Sequence, residues 1–230
     1  MYFVFFVVPS SPFRALPRVS RAILLLFPLF ALFVASPSFS HASTAQTKTI
    51  VCFGDSLTAG YGLDEPLAKS YPALLEKKLT DAGLSYRVVN AGLSGETSAG
   101  GLRRIDWILR QRIDVFILAL GANDGLRGIE PSVTRANLDA ILERVRAKYP
   151  GAQLVVAGMM MPASLGASYS REYAEIFPSV AQQHDAALIP FLLENVGGIE
   201  RLNQPDRIHP TAEGQKILAE NIWKILHPLL

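Results

Sequence analysis

The feature that most constrains the fold of this chain is a regular alternation of short apolar segments with longer amphipathic ones. The segment 114–121, DVFILALG, is a continuous apolar run, as expected of a central strand covered on both faces. The segment 71–83, YPALLEKKLTDAG, places its apolar residues at helical spacing and ends at a glycine. Strands that alternate with helices form βαβ units and a parallel sheet. We therefore predict a single α/β domain of the flavodoxin-like, doubly wound type, with a five-stranded parallel sheet and helices on both faces.

The same alternation continues through residues 43–230, which are predicted to form the folded domain. The predicted strands cover 49–54, 86–92, 114–121, 153–161 and 187–192. The predicted helices cover 71–83, 101–112, 131–150, 170–185 and 211–230. Pro178 is expected to kink or break the fourth of these helices, and Thr211 is expected to cap the last.

The N-terminal residues 1–42 predict a signal peptide that is cleaved. Three arginines and no acidic residue precede an apolar stretch at 22–35, which is shorter than the roughly 20 residues that a membrane-spanning helix needs. The sequence SHA at 40–42 supplies the small residues of a cleavage site. We therefore predict a periplasmic or secreted protein without a stable membrane span after cleavage. An uncleaved anchor is the alternative.

The charge of the predicted domain argues against a nucleic-acid-binding function. The whole chain has 22 basic and 20 acidic residues, and three of the arginines lie in the predicted signal peptide. The remainder therefore has 19 basic against 20 acidic residues and is nearly neutral. A domain that binds nucleic acid usually carries a clear excess of basic residues, so we expect no such partner.

Residues capable of chemistry follow four of the five predicted strands. The carboxyl ends of parallel strands meet at one edge of a sheet, where ligands bind. The segments that follow the strands are 54–56, 90–97, 121–124, 159–170 and a loop that ends at 205–210. Their coincidence at one edge is stronger support for an active site than any one motif.

A serine, a histidine and an aspartate in these segments predict nucleophilic catalysis. A serine hydroxyl attacks only when a base removes its proton, and the base needs an acid to orient it. Of the four histidines, only His209 lies in a strand-end loop, and Asp206 precedes it by three residues. We predict Ser56 as nucleophile, His209 as general base and Asp206 as the orienting acid. Taken alone, Asp206 and His209 fit a capping aspartate and a surface histidine before a helix better than they fit a catalytic pair.

Donors for a developing oxyanion are also present. The backbone N–H groups of Ser56 and Gly95 and the side-chain amide of Asn123 are candidates. Tight turns alone would also explain the glycine and the asparagine. The G-x-S-x-G motif of α/β-hydrolases and the glycine spacings of phosphate-binding loops do not occur. A metal site is disfavoured because no further His or Cys lies at zinc spacing.

Four sequence blocks resemble the signatures of the SGNH hydrolases, also called GDSL esterases/lipases. The blocks GDSLTAGYG, SGETS, GANDGLRG and DRIHP occur in the order of that family. The resemblance implies a Ser56–His209–Asp206 triad and an oxyanion hole made by Ser56, Gly95 and Asn123. It further implies hydrolysis of small-molecule acyl esters and thioesters through an acyl-enzyme, with no cofactor or metal.

Within the family, the chain looks most like the periplasmic branch of acyl-CoA thioesterases, arylesterases and lysophospholipases. It departs from that branch in the segment after the fourth strand. There the branch has Arg-Leu-Pro followed by Ala-Asn-Tyr-Gly, whereas this chain reads MMPASLGAS. Met160, Met161, Leu165 and Tyr169 are candidates for an adaptable apolar groove that binds substrate. Ordinary strand-end core is the alternative for these four residues.

Two other functions remain compatible with the sequence. A carbohydrate O-deacetylase would use the same triad, so only its substrate would differ. A non-catalytic binding module of the same fold would use the polar loops to hold a ligand. The complete set of serine, histidine and aspartate argues against the binding module, because a binder needs no base beside a hydroxyl.

Overall fold

The five-stranded parallel sheet predicted from the alternating pattern is confirmed in a computed structural model, which describes residues 46–230. The predicted signal peptide at 1–42 lies outside the described residues. The strands are β1 (Lys48–Gly54), β2 (Tyr86–Gly92), β3 (Val115–Ala119), β4 (Gln153–Ala157) and β5 (Ala187–Ile189). Their spatial order is β2-β1-β3-β4-β5, which is the doubly wound arrangement.

Helices cover both faces of this sheet. They are α1 (Ser56–Ala59), α2 (Pro66–Lys69), α3 (Tyr71–Asp81), α4 (Ser98–Ile108), α5 (Ala122–Leu126), α6 (Pro131–Lys148), α7 (Ala167–Ala174), α8 (Ile176–Gln183) and α9 (Ala212–Leu226). On one face α3 packs against α9, and on the other α6 lies between α4 and α8. Across residues 46–230, no helix combines the length and the apolar character that crossing a bilayer requires.

The centre of the sheet forms the core of the fold. Every residue of β3 is buried, and β1 is buried from Thr49 to Gly54. The rings of Phe53 and Phe116 lie 5.5 Å apart on these neighbouring strands. Gly54 is in register with Gly92 on β2 and with Ala119 on β3, so three strands end at the same level. The loops that follow them are therefore neighbours on one edge of a rigid sheet.

The helix predicted at 101–112 begins and ends earlier than its apolar spacing indicates. The structure has α4 at Ser98–Ile108, and the side chain of Thr97 caps it by accepting from the N–H of Gly100 at 3.2 Å. Two glycines in the first turn have low helix propensity, so the sequence gives no indication that the helix begins at Ser98. Gly101 packs closely against the core, because a Cβ there would lie 2.4 Å from Leu120 Cδ1, which would have to move.

The helix predicted at 170–185 is divided in two, although not at Pro178. The division lies at Glu175, between α7 and α8. Pro178 stands in the first turn of α8, where a backbone N–H would have no partner within the helix in any case. The cap predicted at Thr211 is confirmed, since its side chain accepts from the N–H of Gly214 at 3.4 Å.

Candidate active site

Ser56 stands at the point where β1 turns directly into α1. Asp55 caps this short helix by accepting from the N–H of Leu57 at 3.0 Å, so Ser56 becomes its first residue. Gly54 makes the turn possible, because a Cβ at this position would lie 2.7 Å from the carbonyl oxygen of Ala119. The turn therefore carries the Ser56 hydroxyl out of the core at the carboxyl edge of the sheet.

The structure brings Ser56, His209 and Asp206 together, although Ser56 and His209 are 153 residues apart. His209 Nε2 lies 2.9 Å from Ser56 Oγ, and His209 Nδ1 lies 2.6 Å from Asp206 Oδ2. The other carboxylate oxygen of Asp206 accepts from the backbone N–H groups of Ile208 and His209, at 2.9 and 3.0 Å. The loop thus holds the aspartate and the imidazole in one tight turn.

The same contacts keep Asp206 ionised. The backbone N–H of His209 is the largest cause that lowers the pKa of this carboxyl, which falls to about 2 although partial desolvation opposes the shift. An ionised Asp206 favours the imidazole tautomer with its proton on Nδ1. Nε2 is then free to accept the proton of the Ser56 hydroxyl. The arrangement can therefore convert the serine into a nucleophile.

Asn123, in the first turn of α5, and Gly95, in the loop before α4, lie in two segments that are joined by a hydrogen bond. The side-chain amide of Asn123 donates to the carbonyl of Glu96 at 3.0 Å, and it lies 3.4 Å from Asp55 Oδ2. Gly95 precedes Glu96 and has a φ of +78°, which favours glycine. No acceptor among residues 46–230 takes the N–H of Gly95 or of Ser56. These two N–H groups are therefore available to a ligand.

Buried acidic residues hold these two segments, and the sequence alone did not indicate them. Fully buried Asp124 accepts from the N–H of Ser98 at 2.8 Å and from its hydroxyl at 2.5 Å. Buried Glu96 is paired with Arg104, whose Nε lies 2.7 Å from both carboxylate oxygens. The sequence offered one indication of their role, because these two acids directly follow the predicted oxyanion residues at 123 and 95.

Asp55 adds a third buried acid beneath the serine. Burial is the main cause that raises the pKa of this carboxyl to about 7, and the nearby carboxylates of Asp124 and Glu96 raise it further. The N–H of Leu57 opposes the shift by stabilising the ionised form. The floor of the site is therefore a cluster of acids in which Asp55 holds its proton close to neutral pH.

A groove of about 400 Å³ opens beside Ser56 and His209, and most of its lining is apolar. Leu57, Leu126 and Phe191 contribute to it, together with the methionines that follow β4. The segment 159–161 lines the groove: Met160 is 51% exposed, whereas Met159 and Met161 are buried. Such a surface fits an acyl chain because it removes apolar area from water without demanding directional contacts.

Leu165 and Tyr169 do not line this groove. Leu165 belongs to an exposed turn of 3₁₀ helix beyond Pro162. The hydroxyl of Tyr169 donates to the backbone carbonyls of Gly125 and Ile129, at 3.2 and 2.9 Å. Tyr169 therefore links α7 to the end of α5 and to the loop that follows it. Its hydroxyl already has hydrogen-bond partners within the protein.

The groove carries no cluster of metal-ligating side chains. Within the part of the chain that the structure describes, no three His, Cys, Asp or Glu residues are placed to hold a metal ion together. The acids under Ser56 make hydrogen bonds or ion pairs with protein groups instead.

Comparison with known proteins relates the whole folded region to one family. Residues 52–217 match the GDSL-like lipase/acylhydrolase family. The chain is 41% identical over 187 residues to esterase TesA of Pseudomonas aeruginosa, which covers 81% of this chain and 91% of that protein. It is 37% identical to thioesterase 1/protease 1/lysophospholipase L1 of Escherichia coli K12, over 81% of this chain and 86% of that protein.

Solved structures give the same result for the fold. The crystal structure of TesA superposes with a TM-score of 0.75 at 41% identity, covering 80% of this chain and 100% of that one. A psychrotrophic esterase EstA from Pseudoalteromonas sp., inhibited by monoethylphosphonate, superposes with a TM-score of 0.73 at 30% identity, over 79% of this chain and 98% of that one. The matched region includes the strands and loops that bring Ser56, Asn123 and His209 together. This chain belongs to the GDSL-like lipase/acylhydrolase family.

Proposed function

We propose that the protein is a serine esterase and thioesterase that cleaves acyl esters through an acyl-enzyme. The observation that carries the proposal is the unbroken chain of contacts from Ser56 through His209 to ionised Asp206, at the mouth of an apolar groove. Membership of an acylhydrolase family supports it, and relatives named esterase, arylesterase and thioesterase 1 point to the same reaction.

The proposed reaction begins with an acyl chain in the groove and its carbonyl carbon against Ser56 Oγ. His209 Nε2 takes the hydroxyl proton as Oγ attacks, and a tetrahedral oxyanion forms. The N–H groups of Ser56 and Gly95 and the amide of Asn123 stabilise that charge, each donor contributing about 10²–10³ in rate. His209 then gives the proton to the leaving alcohol or thiol. Water then attacks the acyl carbonyl carbon as it loses a proton to His209. The bond from that carbon to Oγ breaks as His209 returns the proton to Ser56, which releases the acid.

Substitution of the serine tests this proposal directly. Ser56→Ala should lower kcat for a p-nitrophenyl ester by about 10⁴ or more, because no other hydroxyl takes its place. The unfolding temperature should stay close to that of the unchanged protein. Ser132→Ala, in an exposed part of α6, is the matched control and should keep full activity. Substantial hydrolysis by Ser56→Ala would refute the mechanism.

An organophosphonate provides an independent test that does not depend on a variant. A phosphonate ester should add its mass once, and peptide mapping should locate the adduct at Ser56. Ser94, an exposed serine in the loop that contains Gly95, should remain unmodified. An adduct elsewhere, or none at all, would favour the binding module over the enzyme.

The lining of the groove favours acyl chains over acetylated sugars. A carbohydrate O-deacetylase must hold a polar ring, whereas this groove offers leucine, methionine and phenylalanine side chains. A panel of octanoyl and acetyl p-nitrophenyl esters, acyl-CoA and acetylated xylan distinguishes the two functions. We expect the octanoyl substrates to have the higher kcat/KM, and a preference for the acetylated sugar would reverse the assignment.

We also propose that the enzyme is exported, since residues 1–42 have the composition of a signal peptide. Expression of the full chain in a Gram-negative host should yield a protein whose intact mass corresponds to a start after Ala42. A product that retains the three arginines of this region would contradict the cleavage.

A further inference from the structure

Arg207 has an unusual backbone conformation beside the proposed catalytic pair. Within residues 46–230, the non-glycine residues with positive φ are Asp185, Asn195 and Arg207, at 49°, 61° and 60°. Asp and Asn tolerate this region because their short side chains bond to the nearby backbone, but arginine has no such compensation. The N–H of Arg207 closes the turn by donating to Gln204 O at 2.8 Å. Glycine would suit the turn better, which raises the question of what the arginine side chain adds.

Arg207 lines the groove, and its guanidinium is not engaged by the protein. It lines the 400 Å³ groove together with Ser56 and His209. It also lines an adjoining polar pocket of about 210 Å³, which includes Asn203 and Glu200. Over the described residues, its guanidinium makes no hydrogen bond and no ion pair within 4.0 Å, whether with Glu200 or with Asp206. A strained, exposed arginine thus presents unpaired donors where the two cavities meet.

Arg127 makes a useful contrast. It is also exposed near the site, but its guanidinium donates to the carbonyl of Gly95 at 3.0 Å and so supports a loop. Arg207 has no equivalent structural task. Strained residues that persist at a functional site point to a role in binding or catalysis.

The position of Arg207 relates it to the leaving group of the substrate. In the proposed mechanism His209 delivers its proton to the leaving oxygen or sulfur, and Arg207 lies two residues away in the same turn. The groove takes the acyl chain, so the adjoining polar pocket is left for the alcohol or thiol portion. A guanidinium at the entrance of that pocket matches a phosphate group, which it can bind with two parallel hydrogen bonds.

We propose that Arg207 is a specificity-determining residue that binds a phosphate group in the leaving portion of an acyl ester or thioester. The inference rests on the proposed function, because it assigns the leaving-group side of the same site. Two chemical sources carry such a phosphate in the leaving portion: a lysophospholipid headgroup, whose phosphate is a few bonds from the ester, and an acyl-CoA, whose phosphates follow the pantetheine arm. Arg207 selects these over neutral esters of equal chain length.

The test compares substrates of equal acyl chain with and without a phosphate-bearing leaving portion, all below their critical micelle concentrations. One arm uses octanoyl-CoA against octanoyl-pantetheine, and the other uses octanoyl lysophosphatidic acid against monooctanoylglycerol. The measured quantity is the ratio of kcat/KM for the phosphorylated and the neutral substrate. Arg207→Gln should lower this ratio about tenfold, the value of one charged hydrogen bond. Arg207→Lys keeps the positive charge but cannot form two parallel hydrogen bonds to a phosphate, so it should lower this ratio less than Arg207→Gln does.

Two controls make the result specific. Arg201→Gln removes an exposed arginine that lines neither cavity, so it should leave the ratio unchanged. Salt should lower the ratio of the unchanged protein and have little effect on Arg207→Gln, because screening acts on the contact that this variant lacks. Arg207→Gly should lower the ratio as Arg207→Gln does while it relieves the backbone, and its unfolding temperature should not fall.

The two arms identify the source of the phosphate, and either one supports the inference. A ratio that Arg207→Gln leaves unchanged in both arms overturns it. An equal loss for phosphorylated and neutral substrates also overturns it, because that result would assign Arg207 to the turn alone. Failure of the proposed function has a different signature, namely activity that is absent on every substrate or that survives Ser56→Ala.

Discussion

The groove beside Ser56 has a polar wall and an apolar wall, which are held in place by different interactions. The polar wall consists of Ser56, Asn123 and His209, and each of these side chains is hydrogen-bonded to another part of the protein. The apolar wall consists of residues 159–162, and Met160 within it is half exposed. Proton transfer and charge stabilisation require fixed distances, whereas binding of an acyl chain requires only apolar area.

This difference extends beneath the surface. Behind the polar wall lie the buried acids of Asp55, Glu96 and Asp124, and the last two are held by Arg104 and Ser98. The apolar wall continues instead into an exposed turn at 163–168. Changes in the polar wall should therefore affect the rate of the chemical step, whereas changes in the apolar wall should affect the choice of acyl chain.

Apart from loss of the nucleophile, the largest expected effect comes from Asp206→Asn, at the residue that orients His209 of the polar wall. An amide donates where the carboxylate accepts, so it favours the imidazole tautomer whose Nε2 carries a proton and cannot act as base. We expect kcat to fall by about 10⁴. Steady-state kinetics with an aryl ester measure the loss, and a decrease of less than tenfold would show that the aspartate does not orient His209.

The lowered pKa of Asp206 also determines the form of the pH profile. Its folded value of about 2 lies below the ordinary carboxyl value, so the stability it contributes is complete above about pH 4 and is lost as the pH falls through 2. Asp206 therefore does not titrate between pH 4 and 8. The difference in free energy of unfolding between the unchanged protein and Asp206→Asn should therefore stay constant from pH 4 to 8, and a difference that changes with pH in this range would contradict the lowered pKa.

The next effect is smaller and concerns the oxyanion. Asn123→Ala removes an amide that donates to Glu96 O at 3.0 Å and faces the groove. We expect kcat to fall by about 10²–10³ with KM little changed, because the lost interaction forms mainly in the transition state. Asn123→Asp should be worse, since it brings another carboxylate close to Asp55. Equal losses in kcat and in affinity for a product carboxylate would indicate ground-state binding instead.

Sequence reasoning predicted the polar wall more completely than the apolar wall. Ser56, Asn123 and His209 could be predicted from the sequence, because each follows a strand or lies in a strand-end loop of a parallel sheet. Such segments meet at one edge of the sheet. The structural roles of Glu96 and Asp124 could not be predicted. They depend on contacts with Arg104 and Ser98 that form only when the chain is folded. An acid in a loop is usually solvated, and nothing in its local sequence says otherwise.

The apolar wall shows the opposite limit. An apolar residue after a strand fits a groove and a core equally well, so the sequence left both alternatives open for Met160 and for Tyr169. The structure separates them, because the hydroxyl of Tyr169 bonds to the carbonyls of Gly125 and Ile129 while Met160 lines the groove. The start of α4 was missed for a related reason, since Gly100 in its first turn has a low helix propensity and the cap made by Thr97 is visible only in the structure.

A third prediction concerns the buried acids behind the polar wall and is measured as stability. Burial raises the folded pKa of Asp55 to about 7, above the unfolded value near 4, so the folded protein binds one more proton between these two pH values. The free energy of unfolding should then fall with rising pH by up to about 1.4 kcal/mol per unit across this window. Asp55→Asn, which cannot ionise, should remove that slope.

Urea unfolding of both proteins at pH 4.5, 5.5 and 6.5 measures this slope. The comparison between the two proteins cancels the titration of groups that they share. Parallel curves for the unchanged protein and Asp55→Asn would mean that Asp55 is ionised in the folded state and that its partners compensate for burial.

The smallest effect is expected in the apolar wall. Met160→Ala removes a side chain that is 51% exposed, so an acyl chain bound there loses only part of its apolar contact. The ratio of kcat/KM for octanoyl and acetyl esters should fall about threefold, which corresponds to roughly 0.6 kcal/mol. Leu67→Ala is the matched control, because Leu67 is exposed on α2 and does not line the groove. If Met160→Ala instead lowered kcat for both esters equally, the two walls would not divide chemistry from chain selection, and the methionine would belong with the residues that fix Ser56 and His209.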